Sequence, residues 1–208
     1  MMRHTFWSVK SGVVLVILAL AVAYHSDVGL AQQATKIRWD IAKFTWGPPE
    51  IYPGGVAFAS ALDGSYIKLT GTGTFGPGQA DPVTGGGTWA TSPAAGKSTG
   101  KGKYTVTGLV SFQERKPKPG GGGRRVSKIS KGDRTRGLII LRIAYTNEDG
   151  SPAGTGVLML SCRGRRGVAG SDLFEGAIAS KGAVMYFDPA PSNPRVDANR
   201  AAFHRLAR

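Results

Sequence analysis

Short runs of alternating apolar and polar residues dominate the chain after residue 35 and predict β-strands. Ile37, Trp39 and Ile41 alternate with polar neighbours, as expected for a strand with one buried face. Residues 103–113 and 137–146 are longer runs rich in β-branched and aromatic residues, a composition that favours strands. About nine or ten such runs follow one another at fairly even spacing, the pattern typical of an all-β sandwich or barrel.

Turn signals between the runs predict that consecutive strands pair antiparallel. Asp63-Gly64 stands between two strand-like runs, residues 55–62 and 65–70, and this dipeptide is a strong hairpin signal. Residues 147–150, Asn-Glu-Asp-Gly, connect two further runs in the same way. Only residues 196–206 have a pattern compatible with a helix, and that segment is short.

Glycines within the predicted strands favour a single antiparallel β-barrel. A strongly coiled sheet bends at such positions, which here are Gly71, Gly73, Gly108, Gly176 and Gly182. In general plan this is the architecture of calycin and allene-oxide-cyclase-like barrels, an analogy of fold alone. A two-sheet β-sandwich is the alternative, because periodicity does not separate the two architectures.

The first 31 residues predict a secretory signal peptide. Arg3 and Lys10 precede an uncharged run at residues 12–24, which is shorter than the ~17 residues that a spanning helix needs. Small residues at Gly29 and Ala31 suit cleavage after residue 31, which leaves residues 32–208 as one barrel domain. An uncleaved amino-terminal anchor is the rival interpretation. The expected location is therefore secreted, periplasmic or on the cell envelope, with no transmembrane span after cleavage.

Charge distinguishes residues 114–136 from the rest of the chain. The protein has 27 Lys and Arg against 13 Asp and Glu, a net charge of +14. Clustered basic residues among glycines and prolines predict an irregular loop, and a second cluster follows Cys162. The two clusters predict a surface for anionic polymers, formed by Arg115, Lys116, Lys118, Arg124, Arg125, Lys128, Lys131, Arg134, Arg136, Arg163, Arg165 and Arg166.

A merely solvated basic loop is the alternative interpretation of this segment. No aromatic residue lies within residues 115–136, so the loop lacks a stacking platform for bases. This argues against specific recognition of nucleic acid.

Aromatic residues are spread over most of the predicted strands. If the barrel has eight or more strands, its interior is wide enough to hold a small apolar ligand or a lipid. The predicted interior residues, which include one carboxylate among apolar neighbours, are Trp39, Phe58, Trp89, Tyr104, Tyr145, Glu175 and Tyr186. The alternative is that the aromatic side chains simply form the core.

The sequence predicts no cofactor and no metal. Residues 71–76 match the glycine spacing of a dinucleotide-binding loop, but Pro77-Gly78 follow where a helix is needed. His204 is the only histidine after the predicted signal, so a site with several histidine ligands is not available. A serine triad would need His204 as its base, and no G-x-S-x-G elbow accompanies it.

Three strings, at residues 104–112 (YTVTGLVSF), 174–182 (FEGAIASKG) and 196–204 (VDANRAAFH), carry a family resemblance. The chain resembles a class of exported bacterial β-proteins that has no established activity. The resemblance covers about the last half of the chain and implies no particular function.

The sequence therefore favours a secreted binding protein over an enzyme. The first hypothesis is a binder of a small apolar ligand or lipid inside a β-barrel. The alternative is an envelope-associated binder of anionic polymers through the basic loop. An enzyme with an acidic dyad comes last, because no spacing singles out a pair of carboxylates. The lone Cys162 is expected to be a small buried residue.

Overall fold

The computed structural model describes residues 36–45, 50–76, 82–94, 98–115, 126–129, 134–162, 174–190 and 199–206. Within these ranges the protein is all-β, with 14 strands and no helix. The strands are β1 (Ile37–Phe44), β2 (Glu50–Pro53), β3 (Ala57–Ser60), β4 (Tyr66–Leu69), β5 (Thr72–Phe75), β6 (Thr84–Ser92), β7 (Gly100–Arg115), β8 (Val126–Ser127), β9 (Arg134–Asn147), β10 (Pro152–Cys162), β11 (Gly176–Lys181), β12 (Val184–Tyr186), β13 (Asp188–Pro189) and β14 (Ala201–Arg205).

Six of these strands close into an antiparallel β-barrel. Around the barrel, β1 pairs with β5, β5 with β6, β6 with β7, β7 with β9, β9 with β14, and β14 again with β1. Closure satisfies the backbone groups that an open sheet leaves at its edges. The prediction of an antiparallel barrel is confirmed, and the structure is not the alternative sandwich.

The other strands extend the sheet from two long barrel strands. β14 and β10 pair with successive parts of one edge of β9, β14 near the start of β9 and β10 along the rest. β11 pairs with β10, and β12 pairs with β11. Similarly, β5 and β4 pair with successive parts of one edge of β6, β3 pairs with β4, and β13 pairs with β3. Side chains of both extensions join those of the barrel in one hydrophobic core.

The predicted hairpins are present. Gly64 follows the β3 strand with a φ of 76°, and the Ser65 N–H donates to the Asp63 carboxylate over 2.9 Å. The turn between β9 and β10 repeats this design, with Gly150 at a φ of 84° and the Ser151 N–H bound to Asp149 over 2.9 Å. Local turn chemistry therefore sets both connections, as the sequence indicates.

Large side chains fill the barrel core. The Trp89 and Tyr145 rings meet edge to face with their centroids 5.6 Å apart, an arrangement that aromatic quadrupoles favour. Burial of each such side chain stabilises the fold by roughly 2–3 kcal/mol. The largest fully buried side chains are Trp39, Tyr104, Tyr145, Phe75 and Phe203.

Two glycines leave room for the Trp39 ring. Trp39 faces Gly73 across β1 and β5, and Gly73 faces Gly85 across β5 and β6. A Cβ atom at either glycine would lie 2.7 Å from the indole, well inside van der Waals contact. Gly85 also has a φ of 132°, which favours glycine. The glycine string at residues 71–76 thus belongs to a strand of the barrel.

The carboxyl-terminal segment forms a strand over residues 201–205, and the helix-compatible pattern of residues 196–206 gives no helix in its described part. β14 lies between β1 and β9 and closes the barrel. Asn199, at a φ of 58°, precedes the strand. Its side-chain Oδ1 accepts the Phe58 N–H over 2.5 Å, and its own N–H donates to the Val56 carbonyl over 2.8 Å. Burial between two strands outweighs the weak local helix pattern.

Candidate anion-binding site

Strand pairing lines up cationic residues on the outer face of the barrel. Arg115, at the end of β7, lies directly opposite Arg136 on β9. Two residues earlier on β9, Arg134 lies opposite His204 on β14, and His204 lies opposite Arg38 on β1. We call these five residues the cationic row. The five residues lie on four neighbouring strands, which are about 5 Å apart, and β9 carries two of them, Arg134 and Arg136.

Arg115 and Arg136 occupy directly opposite positions on β7 and β9. Arg115 is exposed and Arg136 partly exposed, so an anion in solution can reach both residues. An anion that bridges two guanidinium groups gains charge-assisted hydrogen bonds from each. We therefore treat the row as a candidate binding site.

A buried carboxylate orients one end of the row. The Arg38 guanidinium donates from two nitrogen atoms to the two Asp40 oxygens, each over 2.9 Å. Asp40 is fully buried, and burial raises its pKa while the hydrogen bonds from Arg38 and Thr72 act in the opposite direction. A bidentate pair of this kind fixes the guanidinium plane. Arg38 is therefore held in a defined position on β1.

A second carboxylate ties the strands together where the basic segment leaves the barrel. Glu114 on β7 accepts two hydrogen bonds of 2.5 Å from Arg205 on β14. It also accepts a hydrogen bond from the Thr135 hydroxyl on β9. These contacts join three of the four strands that carry the row, so the spacing of the row rests on a braced part of the barrel.

Part of the basic segment returns to the barrel surface. Residues 126–129, which we call the strap, begin with β8, and β8 pairs parallel with β2. The Lys128 N–H donates to the Ile51 carbonyl over 2.7 Å, and Ile129 is buried in a small cluster with Ala42, Phe44, Ile51 and Ala202. The prediction of an irregular loop over residues 114–136 is therefore wrong at both ends, which belong to β7 and β9, and at the strap.

The strap covers His204. The Ser127 Oγ and the His204 Nε2 are 2.7 Å apart, and the same Oγ accepts the Ile129 N–H over 3.2 Å. His204 is fully buried, and its Nδ1 has no hydrogen-bond partner among the described residues. Burial lowers the pKa of His204 to about 4, and the charges of Arg134 and Arg38 act in the same direction. At neutral pH the imidazole is therefore uncharged.

Four of the predicted anion-binding residues lie in this region. Arg115, Arg134 and Arg136 belong to the row, and Lys128 lies on the strap with its Nζ 3.2 Å from Glu50. The remaining eight lie outside the described residues, namely Lys116, Lys118, Arg124, Arg125, Lys131, Arg163, Arg165 and Arg166.

Sequence reasoning missed Arg38 and His204 as members of the row. They are separated by most of the chain and become neighbours only because β1 pairs with β14. The available signal for His204 was an ionisable residue at the end of the apolar run Ala-Ala-Phe.

Most of the predicted ligand-binding aromatic residues lie in the packed core. The Tyr104 hydroxyl donates to the Thr70 carbonyl over 2.8 Å, and the Tyr145 hydroxyl donates to the Ser180 carbonyl over 2.8 Å. These polar atoms are thus occupied by the protein's own backbone. The core residues of the predicted set are Trp39, Trp89, Tyr104, Tyr145 and Tyr186.

Phe58 and Glu175 are the two predicted ligand-binding residues that do not belong to the buried hydrophobic core. The half-buried Phe58 ring lies beside Tyr66, with the centroids 6.5 Å apart. The Glu175 carboxylate accepts the Ala201 N–H over 3.4 Å. The arrangement supports the alternative interpretation, in which the aromatic side chains form the core. Ligand binding in the interior stays a prediction.

The described residues were also compared with metal sites and membrane helices. Among them, no group of three or more His, Cys, Asp or Glu is arranged to hold a metal ion. No described segment is a helix of the length and apolarity needed to cross a membrane. Comparison of the chain with family models, curated proteins and solved structures found no match. The fold is that of a β-barrel protein, and its strand pairing places Arg115 opposite Arg136 and His204 between Arg134 and Arg38.

Proposed function

We propose that this protein is an exported, non-enzymatic binder of anionic polymers of the cell envelope. The cationic row and the other basic residues of the 114–136 segment form the proposed site. The observation that carries the proposal is the cross-strand pair Arg115–Arg136, with Arg134 two residues along β9 and Arg38 two strands from Arg134.

The spacing of the row suits a polymer better than a single small anion. Arg115 and Arg136 are one strand spacing, about 5 Å, apart, and Arg134 and Arg38 are two strand spacings, about 10 Å, apart, so a chain with repeated carboxylate, sulfate or phosphate groups can contact several arginines at once. Each neutralised anionic group releases a counterion, which makes such binding strongly salt-dependent. The net charge of +14 adds a long-range attraction.

The proposed location supplies such polymers. Residues 1–31 have the features of a secretory signal, which would direct the protein to the compartment where envelope polymers lie. Polymers of the envelope are therefore the partners that an exported basic protein would meet first.

The test is the salt dependence of binding to dextran sulfate for the mature protein and two matched variants. Arg136→Ala removes a member of the row. Arg142→Ala removes an exposed arginine of the same strand, six residues and therefore about 20 Å away. Both variants lose the same net charge, so their difference reports position.

We expect Arg136→Ala to reduce the slope of log K against log salt by about 0.7–0.9, the value for one lost contact. Arg142→Ala should leave the slope near that of the wild type. Equal effects of the two variants would show attraction by net charge alone and would overturn the row as the site. Absence of salt-dependent binding by the wild type would overturn the function itself.

A third variant separates the row from the rest of the segment. It replaces the five basic residues outside the described ranges by Gln and keeps the strap, the changed positions being Lys116, Lys118, Arg124, Arg125 and Lys131. Residual binding that still responds to Arg136→Ala supports the row. If the third variant does not bind, and if Arg136→Ala alone leaves binding of the mature protein unchanged, the function belongs to the other basic residues of the segment and the proposal is contradicted.

A further inference from the structure

We infer that the strap is an acid-released cover of the cationic row, and that His204 becomes an additional charged member of the polyanion site when the strap lifts. The ligand in this inference rests on the proposed function, whereas the release of the strap does not.

The strap is a short segment of four described residues. Its described contacts include a two-residue parallel pairing with β2, a backbone hydrogen bond from Lys128 and the buried side chain of Ile129. Its Lys128–Glu50 ion pair is partly exposed and so contributes little. Opening such a short segment exposes far less apolar surface than unfolding the barrel, so it is a low-energy local event.

The hydrogen bond between Ser127 and His204 is the contact of the strap that depends on the protonation of His204. The Lys128–Glu50 ion pair depends instead on the Glu50 carboxylate, whose pKa is lowered by its hydrogen bonds with Tyr52 and Lys128. The Ser127 Oγ already accepts the Ile129 N–H, so its own hydrogen is suited to the Nε2 of the neutral imidazole. A protonated imidazole donates from both nitrogen atoms. Ser127 would then have to turn its hydrogen away, and the Nδ1–H would remain buried without an acceptor.

The charges around His204 also oppose its protonation while the strap is closed. β1 contributes Arg38 and Asp40, which bind each other, and β9 contributes Arg134. The strap contributes Lys128, which pairs with Glu50 of β2. A new positive charge on His204 would therefore lie between Arg38 and Arg134 on the neighbouring strands, and Asp40 is already bound to Arg38.

Lifting the strap reverses these conditions. Solvent reaches the imidazole, and its pKa rises from about 4 toward the ordinary value of about 6.5. A proton and a polyanion then both favour the open state, because each binds it better than the closed state. Such coupling is reciprocal, so bound polyanion should also raise the pH at which the strap opens.

The first experiment measures amide hydrogen exchange of Lys128 and Ile129 without any ligand, relative to amides of β9. Between the two pKa values, we expect strap exchange in the wild type to accelerate about tenfold for each unit of falling pH, after correction for intrinsic rates. In His204→Gln the relative exchange should not depend on pH. Equal acceleration in both proteins, or constant protection in the wild type, overturns the inference.

The second experiment measures dextran sulfate binding against salt at about pH 7 and about pH 4.5, on either side of the ordinary histidine pKa. The slope should grow by about 0.7–0.9 in the wild type on acidification, and this increment should be missing from His204→Gln. Protonation of Asp40 and Glu50 affects both proteins alike, so the variant serves as the control. The same increment in both proteins contradicts the role of His204.

Ser127→Ala keeps His204 and removes its hydrogen bond with the Ser127 hydroxyl. This variant provides a test if His204→Gln does not fold. We expect faster strap exchange and tighter polyanion binding already at about pH 7, near neutrality. Unchanged exchange and binding in this variant would overturn the inference. If the wild type binds no polyanion at any pH, the proposed function fails, and the exchange measurement still decides whether the strap is released.

Discussion

Replacement of Gly73 by Ala should destabilise the barrel strongly, because the new methyl group has no space. The added Cβ would overlap the Thr84 carbonyl oxygen and lie 2.7 Å from both the Gly85 Cα and the Trp39 Nε1. Backbone atoms of a paired strand cannot move as a flexible side chain can. Overpacking of a core costs about 1–3 kcal/mol, and we expect the upper end here.

Gly108→Ala is the matched control for this prediction. Gly108 also lies within a barrel strand, yet a Cβ there would meet only the Arg142 side chain, at 3.6 Å or more. Its conformation is open to alanine, so the substitution should be neutral or stabilise the protein by up to about 1 kcal/mol through the unfolded chain.

Urea unfolding followed by tryptophan fluorescence measures both effects. With a slope of about 1–3 kcal/mol per molar urea for small domains, Gly73→Ala should lower the midpoint by at least about 1 M. Adding Trp39→Phe should not restore stability, because the closest contact is with the backbone. If Gly73→Ala is as stable as the wild type, or if Gly108→Ala destabilises the protein equally, glycine is not needed at position 73 to make room for the Trp39 ring and the β6 backbone, and the reasoning is refuted.

Three further predictions follow from buried polar groups. The pKa of His204 in the folded protein lies below its unfolded value of about 6.5. The wild type should therefore lose up to about 3 kcal/mol of unfolding free energy as the pH falls from about 6.5 to about 4, and the free energy of strap opening sets the upper limit of this loss. In pH-dependent urea titrations, His204→Asn should lack this loss. Tyr104→Phe should cost about 1–2 kcal/mol in the same assay, because the hydrogen bond from the buried Tyr104 hydroxyl to the Thr70 carbonyl is lost. Cys162 is 3% exposed, so a thiol reagent should modify it only at the rate of unfolding; rapid modification of the native protein would contradict that burial.

The aromatic residues of the barrel show which features of the interior the sequence pattern predicts and which it does not. Alternation along β1 correctly places Trp39 on a buried face, and the same holds for Tyr104 and Tyr145. Whether such residues line a cavity or fill a core depends on the number of strands in the ring and on which rings meet. Six strands close the ring, and Trp39, Tyr104 and Tyr145 belong to one hydrophobic core.

The sequence by itself determined the all-β class, the hairpins at Asp63-Gly64 and Asn147–Gly150, and the basic character of residues 114–136. These features depend on neighbours along the chain, where side-chain alternation and turn chemistry act directly. Only the tertiary structure decided that residues 201–205 form a closing strand and that Arg38, Arg134 and His204 stand side by side. Cross-strand neighbours are set by the register that buries the whole core at once, and that register joins residues from opposite ends of the chain.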